Sequence, residues 1–135
     1  MSAIENSLEI IHIDLSSNDI TFRGAEYVFS SLIKQHSIIS LDLSSKEGIN
    51  RNRLSHEGMK LMEEVLKVNK LLEYLYLSGN SIKNEGLKYI LNGLKDNKTL
   101  NTLHIAHNEI NNIGIGYFSI NLRKDKLFVL YLYYI

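Results

Sequence analysis

The chain has 135 residues, enough for one domain with a buried core, and its fifteen basic residues are balanced by fifteen acidic ones. Such a surface has no long-range field to gather nucleic acid or an anionic membrane, so neither is expected as a partner. Cysteine is absent, which excludes disulfide frameworks, thiolate metal sites and cysteine nucleophiles and is compatible with a reducing compartment; the cytoplasm is the expected location.

The first ten residues, MSAIENSLEI, carry neither a basic start nor a long apolar run. No secretion signal is predicted, and the mature chain is expected to begin near Met1. Residues 10–20, IIHIDLSSNDI, then alternate apolar and polar side chains with the period of a half-buried strand. Beyond Gly24 the period changes: Ala25, Val28, Phe29 and Leu32 form the apolar stripe of a helix. Residues 38–45, IISLDLSS, reopen the strand pattern, are interrupted by KEGINR (46–51) and resume with NRL (52–54). The interruption predicts a loop, with Leu54 restoring the core register. The pattern returns in LEYLYLSGNSI (72–82), followed by a helical stripe of Leu87, Ile90, Leu91 and Leu94, and again in LNTLHIAHNEI (100–110). Thr21, Ser55 and Asn111 stand where a side-chain oxygen would cap a helix start, a position that Lys83 breaks. The final LFVLYLYYI (127–135) begins a fifth strand. It is too short to cross a bilayer, which takes about twenty apolar residues as a helix.

Aligned on Asn18, Asn52, Asn80 and Asn108, these copies lie 34, 28 and 28 residues apart, and the longer interval is the repeat plus the six inserted residues. Glycine follows each asparagine by six residues, at Gly24, Gly58, Gly86 and Gly114. A period of this length marks a solenoid. The consensus, apolar residues at fixed strand positions followed by asparagine and a further apolar residue, resembles the ribonuclease-inhibitor class of leucine-rich repeats over about residues 8–132. Members of that class include ribonuclease inhibitor, the recognition arms of NOD-like receptors, the Ran GTPase-activating protein and the carboxy-terminal domain of tropomodulin. The resemblance implies an α/β right-handed solenoid, an open horseshoe with a parallel sheet on its concave face and helices outside. It also implies a protein-binding task.

The whole chain then reads as one repeat domain, with units at 10–37, 38–71, 72–99 and 100–126 and a partial strand at 127–135. Strands pair at about 4.8 Å while helix axes need roughly 8 to 10 Å, so the stack bends with its sheet inside. The asparagines are expected to turn inward and satisfy backbone groups at the strand ends, because an unpaired buried amide costs about 1 to 3 kcal/mol. The four glycines are expected to allow close approach or unusual backbone angles at the loop-to-helix junction.

Specificity is expected at positions that the repeat leaves free. His12, Asp14 and Ser16 in the first strand correspond to Ser40, Asp42 and Ser44, to Tyr74, Tyr76 and Ser78, to Thr102, His104 and Ala106, and to Val129, Tyr131 and Tyr133. An acidic half thus adjoins an aromatic half. Tyr74, Tyr76 and Tyr131 are the predicted anchors, with His12, Asp14, Asp42, Thr102 and His104 around them. The insertion adds Lys46, Arg51 and Arg53 as a second predicted contact, suited to an acidic partner.

Catalysis is not predicted. His12, Asp14, His104 and His107 are suitable metal ligands by type, but His12 and His104 fall three units apart, roughly 14 Å at strand spacing, so no metal or other cofactor is expected. No Gly-x-Ser-x-Gly motif or phosphate-binding glycine loop occurs. The expected function is a non-catalytic protein-interaction module. Its rivals are a small-GTPase regulator like the Ran-activating protein and a cytoskeletal cap like the tropomodulin domain. Neither end carries an obvious capping unit, so the chain is expected either to be part of a longer solenoid or to have Leu127 to Ile135 covered, with self-association as one way to cover them.

Overall fold

A computed structural model describes residues 10–34, 37–46, 48, 50–121 and 129–131. Each alternating segment becomes a short strand and each apolar stripe a helix: β1 (His12–Asp14), α1 (Phe22–Lys34), β2 (Ser40–Asp42), α2 (Ser55–Val68), β3 (Tyr74–Tyr76), α3 (Lys83–Leu94), β4 (Thr102–His104), α4 (Asn112–Asn121) and β5 (Val129–Tyr131). The strands form one parallel sheet in chain order, β1 to β5. Its register aligns the repeat positions: Asp14 lies beside Asp42, Asp42 beside Tyr76, Tyr76 beside His104, and His104 beside Tyr131. Every strand therefore advances by one helix-containing crossover to its neighbour, and the chain is an α/β solenoid with its sheet on the concave side.

The core lies between sheet and helices. Leu41, Leu75 and Leu103, the central residues of β2, β3 and β4, are fully buried, as are Leu43, Leu77 and Ile105 two residues on. Phe29, Met59, Met62, Leu87 and Leu91 meet them from the helices. Leu54 is fully buried, so the chain regains its register after the insertion. Cover is thinner in the first unit, where Ile13, Leu15 and Ile20 are only partly buried and Ile11 is 43% exposed.

Asparagine side chains stitch the units together. Asn52, Asn80 and Asn108 are fully buried. The Asn52 side chain accepts from the N–H groups of Asn18 and Ile20 at 3.0 and 2.8 Å and donates to Leu15 O and Leu43 O, both at 3.0 Å. Asn80 donates to Leu43 O and Leu77 O at 2.9 and 3.1 Å and accepts from the Leu54 N–H at 3.3 Å. Asn108 repeats the arrangement one unit later, donating to Leu77 O and Ile105 O and accepting from the Asn80 and Ile82 N–H groups. Each amide thus bridges its own strand end to that of the preceding unit. Asn18 begins the row with no described strand before it; it is exposed, and its Nδ2 donates to Ser16 O in its own turn.

A second pair of asparagines does the same at the opposite end of the helices. Asn69 donates to Leu32 O and accepts from the Leu71 and Leu72 N–H groups, while Asn97 donates to Leu66 O and accepts from Thr99 and Leu100. Their 28-residue separation is legible in the sequence, but sequence reasoning centred on the strand consensus passed over it.

One expectation about the loop-to-helix junction, capping by Ser55, needs correction. Asn111 does cap α4, accepting from the Ile113 N–H at 3.0 Å. Ser55 does not cap α2: the cap residue is Leu54, with no side-chain cap hydrogen bond, and the Ser55 hydroxyl donates to the Glu57 carboxylate. The Ser55 N–H instead donates to Asn80 O at 3.0 Å, and the Lys83 N–H to Asn108 O at 2.8 Å. Helix starts are satisfied by the neighbouring unit's backbone, which local capping chemistry cannot reveal. The glycines after each asparagine have ordinary helical backbones; close approach, one of the two reasons expected, accounts for Gly24, Gly86 and Gly114, whereas Gly58 has only ordinary contacts. A methyl group on Gly24 would lie 3.1 Å from Ile20 Cγ2, and one on Gly86 would collide with Ile82 and press on Met59 Cγ at 3.1 Å. The left-handed positions are Ser17, Asp19, Ser81, His107 and Glu109 beside the asparagines, Ser55 and Lys83 at helix starts, and Gly48 and Gly79.

Candidate functional site

On the concave side, parallel register places unlike side chains next to one another. Asp42, Tyr76 and His104 run across three adjacent strands, all half-buried. The Tyr76 and His104 rings are 4.6 Å apart between centroids and tilted by 47°, a favourable aromatic geometry. Partial burial lowers the affinity of His104 for a proton, and the Asp42 carboxylate opposes that effect. Tyr74 and Thr102, neighbours in the next row, are also half-buried, whereas His12 and Asp14 at the open end are exposed.

The two aspartates have a local task too. Asp14 Oδ1 accepts from the Ser16 N–H at 2.9 Å, and Asp42 Oδ1 from the Ser44 N–H at 2.8 Å. Hydrogen bonds from the Ser16 hydroxyl and N–H, with the nearby Lys46 ammonium, hold the Asp14 carboxyl below the usual carboxylate range. The signal for this was the shared Asp-Leu-Ser tripeptide at 14–16 and 42–44. Among the other predicted concave positions, Ala106 is a correction: it is 6% exposed, because the chain turns inward there towards Asn108. The Tyr131 backbone pairs with His104, and Tyr133 lies outside the described residues.

The inserted segment divides its cations. Lys46 and Arg51 line a recess with Ser45, Gly79 and His107. Arg53 faces the first unit, where its guanidinium meets Asp19 at 2.7 Å and its backbone bridges Thr21. The three do not share one patch. Among the described residues, no group of three or more His, Asp or Glu side chains is arranged to hold a metal ion. No helix among them is long and apolar enough to cross a membrane.

A family profile described as a leucine-rich repeat matches residues 10–29, 68–91 and 96–119, together about half of the chain. The chain belongs to the leucine-rich repeat family. The unmatched stretch between the first two segments contains the unit interrupted by KEGINR, whose strand nonetheless keeps its leucine-rich repeat register through Leu41 and Asn52. No curated protein matches the sequence. Among solved structures, that of leiomodin-1 actin-binding site 2 superposes with a TM-score of 0.83 at 20% identity, covering 98% of this chain and 76% of that one. At such identity the likeness is one of fold. In this leucine-rich repeat domain the consensus residues build the frame, and the concave row differs from unit to unit.

Proposed function

We propose that the domain is a non-catalytic interaction module of the ribonuclease-inhibitor-like class, working in the cytoplasm and binding a protein ligand on its concave sheet. One observation carries this reading: Asp42, Tyr76 and His104 stand side by side on three strands whose ends are tied together by buried asparagines. Aromatic side chains on a rigid support give contact area at low entropic cost. His12, Asp14, Tyr74, Thr102 and Tyr131 extend the surface, and the edge strand within Leu127 to Ile135 is a proposed route to self-association. Replacing Tyr74, Tyr76 and His104 together by alanine should abolish capture of the ligand from a cell extract while circular dichroism and thermal unfolding stay near those of the parent. Undiminished capture would move the site off the sheet.

A second reading is that the ligand is actin or an actin-like protein, because the matched leiomodin-1 structure is named for an actin-binding site. Co-sedimentation with filaments and fluorescence binding to monomers test it. Absence of binding to either form removes actin and leaves the concave-face reading open.

A further inference from the structure

The interrupted unit departs from the repeat by six residues, and the first and last of them, Lys46 and Arg51, are cations that line one recess. Its floor is a row of the solenoid itself: Ser45, Gly79 and His107 are 34 and 28 residues apart, the repeat interval with the six inserted residues counted after Ser45. The backbone ladder runs through this row, with the Ser45 N–H donating to Ser78 O at 2.8 Å and the Gly79 N–H to Ala106 O at 2.9 Å. The recess has a volume of about 240 Å³, room for the tip of one side chain, and among the described residues no acidic one lines it.

We infer that this recess receives an oxyanion, a carboxylate or phosphate, carried by a side chain of the protein ligand. The inference rests on the protein-binding reading above and names the chemistry of one contact. Gly79 makes room for the site. Its φ is +73°, and a methyl group there would lie 3.1 Å from both Ser45 Cβ and Ser45 O and 3.5 Å from Arg51 Nη2. With hydrogen in that place, the Arg51 guanidinium can lie close over the strand end, where its planar fork suits two oxygens of one anion. Lys46 adds a point charge, and His107 lines the far side of the recess. Among the described residues the Asp14 carboxylate competes only weakly: Lys46 Nζ is 3.8 Å from Asp14 Oδ2, with both side chains more than 60% exposed. Arg53 does not line the recess; its guanidinium meets Asp19 of the first unit at 2.7 Å.

The test is an NMR titration of the full ¹⁵N-labelled chain at low salt with three short peptides of equal length: oligoglutamate, oligoglutamine, and oligoglutamine bearing one phosphoserine. Saturable shifts at Gly79, Arg51 and His107 with an oxyanion-bearing peptide, and none with oligoglutamine alone, are expected. Which of the two anionic peptides binds identifies the source of the oxyanion. The Lys46→Gln/Arg51→Gln variant should weaken that binding about three- to tenfold, and Lys95→Gln/Lys98→Gln should leave it unchanged. Missing shifts, shifts spread equally to Lys95 and Lys98, or a double variant that binds as the parent does would overturn the inference. The Tyr74→Ala/Tyr76→Ala/His104→Ala chain serves as a separate arm, since it loses ligand capture if the sheet reading holds and still responds to the anionic peptide if the recess does. Failure of one is therefore distinguishable from failure of the other.

Discussion

Two rows cross the solenoid at the same spacing, and they could hardly differ more in composition. Past the strand ends of the sheet stand Asn52, Asn80 and Asn108, identical and fully buried. On its concave face stand Asp14, Asp42, Tyr76 and His104, of three residue types and each at least half-exposed or partly buried. The asparagine faces backbone groups of the preceding unit, which are the same in every unit, so one side chain with two donors and an acceptor is the recurring answer. The concave side chains meet their own turn or row, Asp14 and Asp42 accepting from Ser16 and Ser44 and the Tyr76 ring meeting that of His104, so no single residue type recurs there. Uniformity marks inward bonding, and variety marks the outward face.

The largest effect that would sharpen this comparison is expected from Asn80→Ala. It leaves the buried Leu54 N–H without its acceptor and takes one of two asparagine donors from each of the Leu43 and Leu77 carbonyls, which Asn52 and Asn108 still serve, and should lower unfolding stability by about 2 to 5 kcal/mol in denaturant titration. Next come two glycines one unit apart. Gly86→Ala should destabilise by about 1 to 3 kcal/mol, because its methyl group has no room against Ile82 and Met59. Gly58→Ala, whose methyl group would sit 3.4 Å or more from its nearest neighbours, should be neutral or gain up to about 1 kcal/mol from helix propensity. Equal losses at both positions would refute packing as the cause. Asn18→Ala, at the exposed end of the row, should stay within about 0.5 kcal/mol of the parent despite occupying the same repeat position as Asn80.

The smallest effect concerns pH. Burial lowers the His104 pKa from its ordinary value, so between the folded and unfolded pKa values the unfolded chain binds more protons. The stability that neutral His104 supports is complete above the unfolded value, about 6.5, and declines as pH falls from there towards the folded pKa. NMR titration of His104 should give a midpoint below that of an unstructured histidine, and Asp42→Asn should lower it further. A rise on removing Asp42 would show that the carboxylate does not act on this imidazole.

Much of the fold was legible in the sequence because a solenoid writes its contacts periodically. Asn52, Asn80 and Asn108, the central leucines and Leu54 could be placed by counting alone. The helix starts could not: Ser55 looks like a cap, yet its N–H is satisfied by Asn80 O twenty-five residues away. The concave residues were legible as a row but not in their local roles, since the bonds that tie Asp14 and Asp42 to Ser16 and Ser44 depend on the turn that follows each strand. Reading Lys46, Arg51 and Arg53 as one basic loop missed their separation, because proximity in sequence does not fix which neighbouring unit a long side chain meets.

The sequence by itself determined the repeat, its strand-to-helix order, the inward asparagines and the rows that share a face, because burying an apolar stripe and pairing every buried polar group admit few arrangements at this period. Tertiary structure alone decided how the units meet: which carbonyl completes each helix start, where a methyl group would not fit, and how the insertion parts its cations between Asp19 on one side and the Gly79 recess on the other. Those outcomes depend on contacts between units, set by atomic distances that no pattern within one unit encodes.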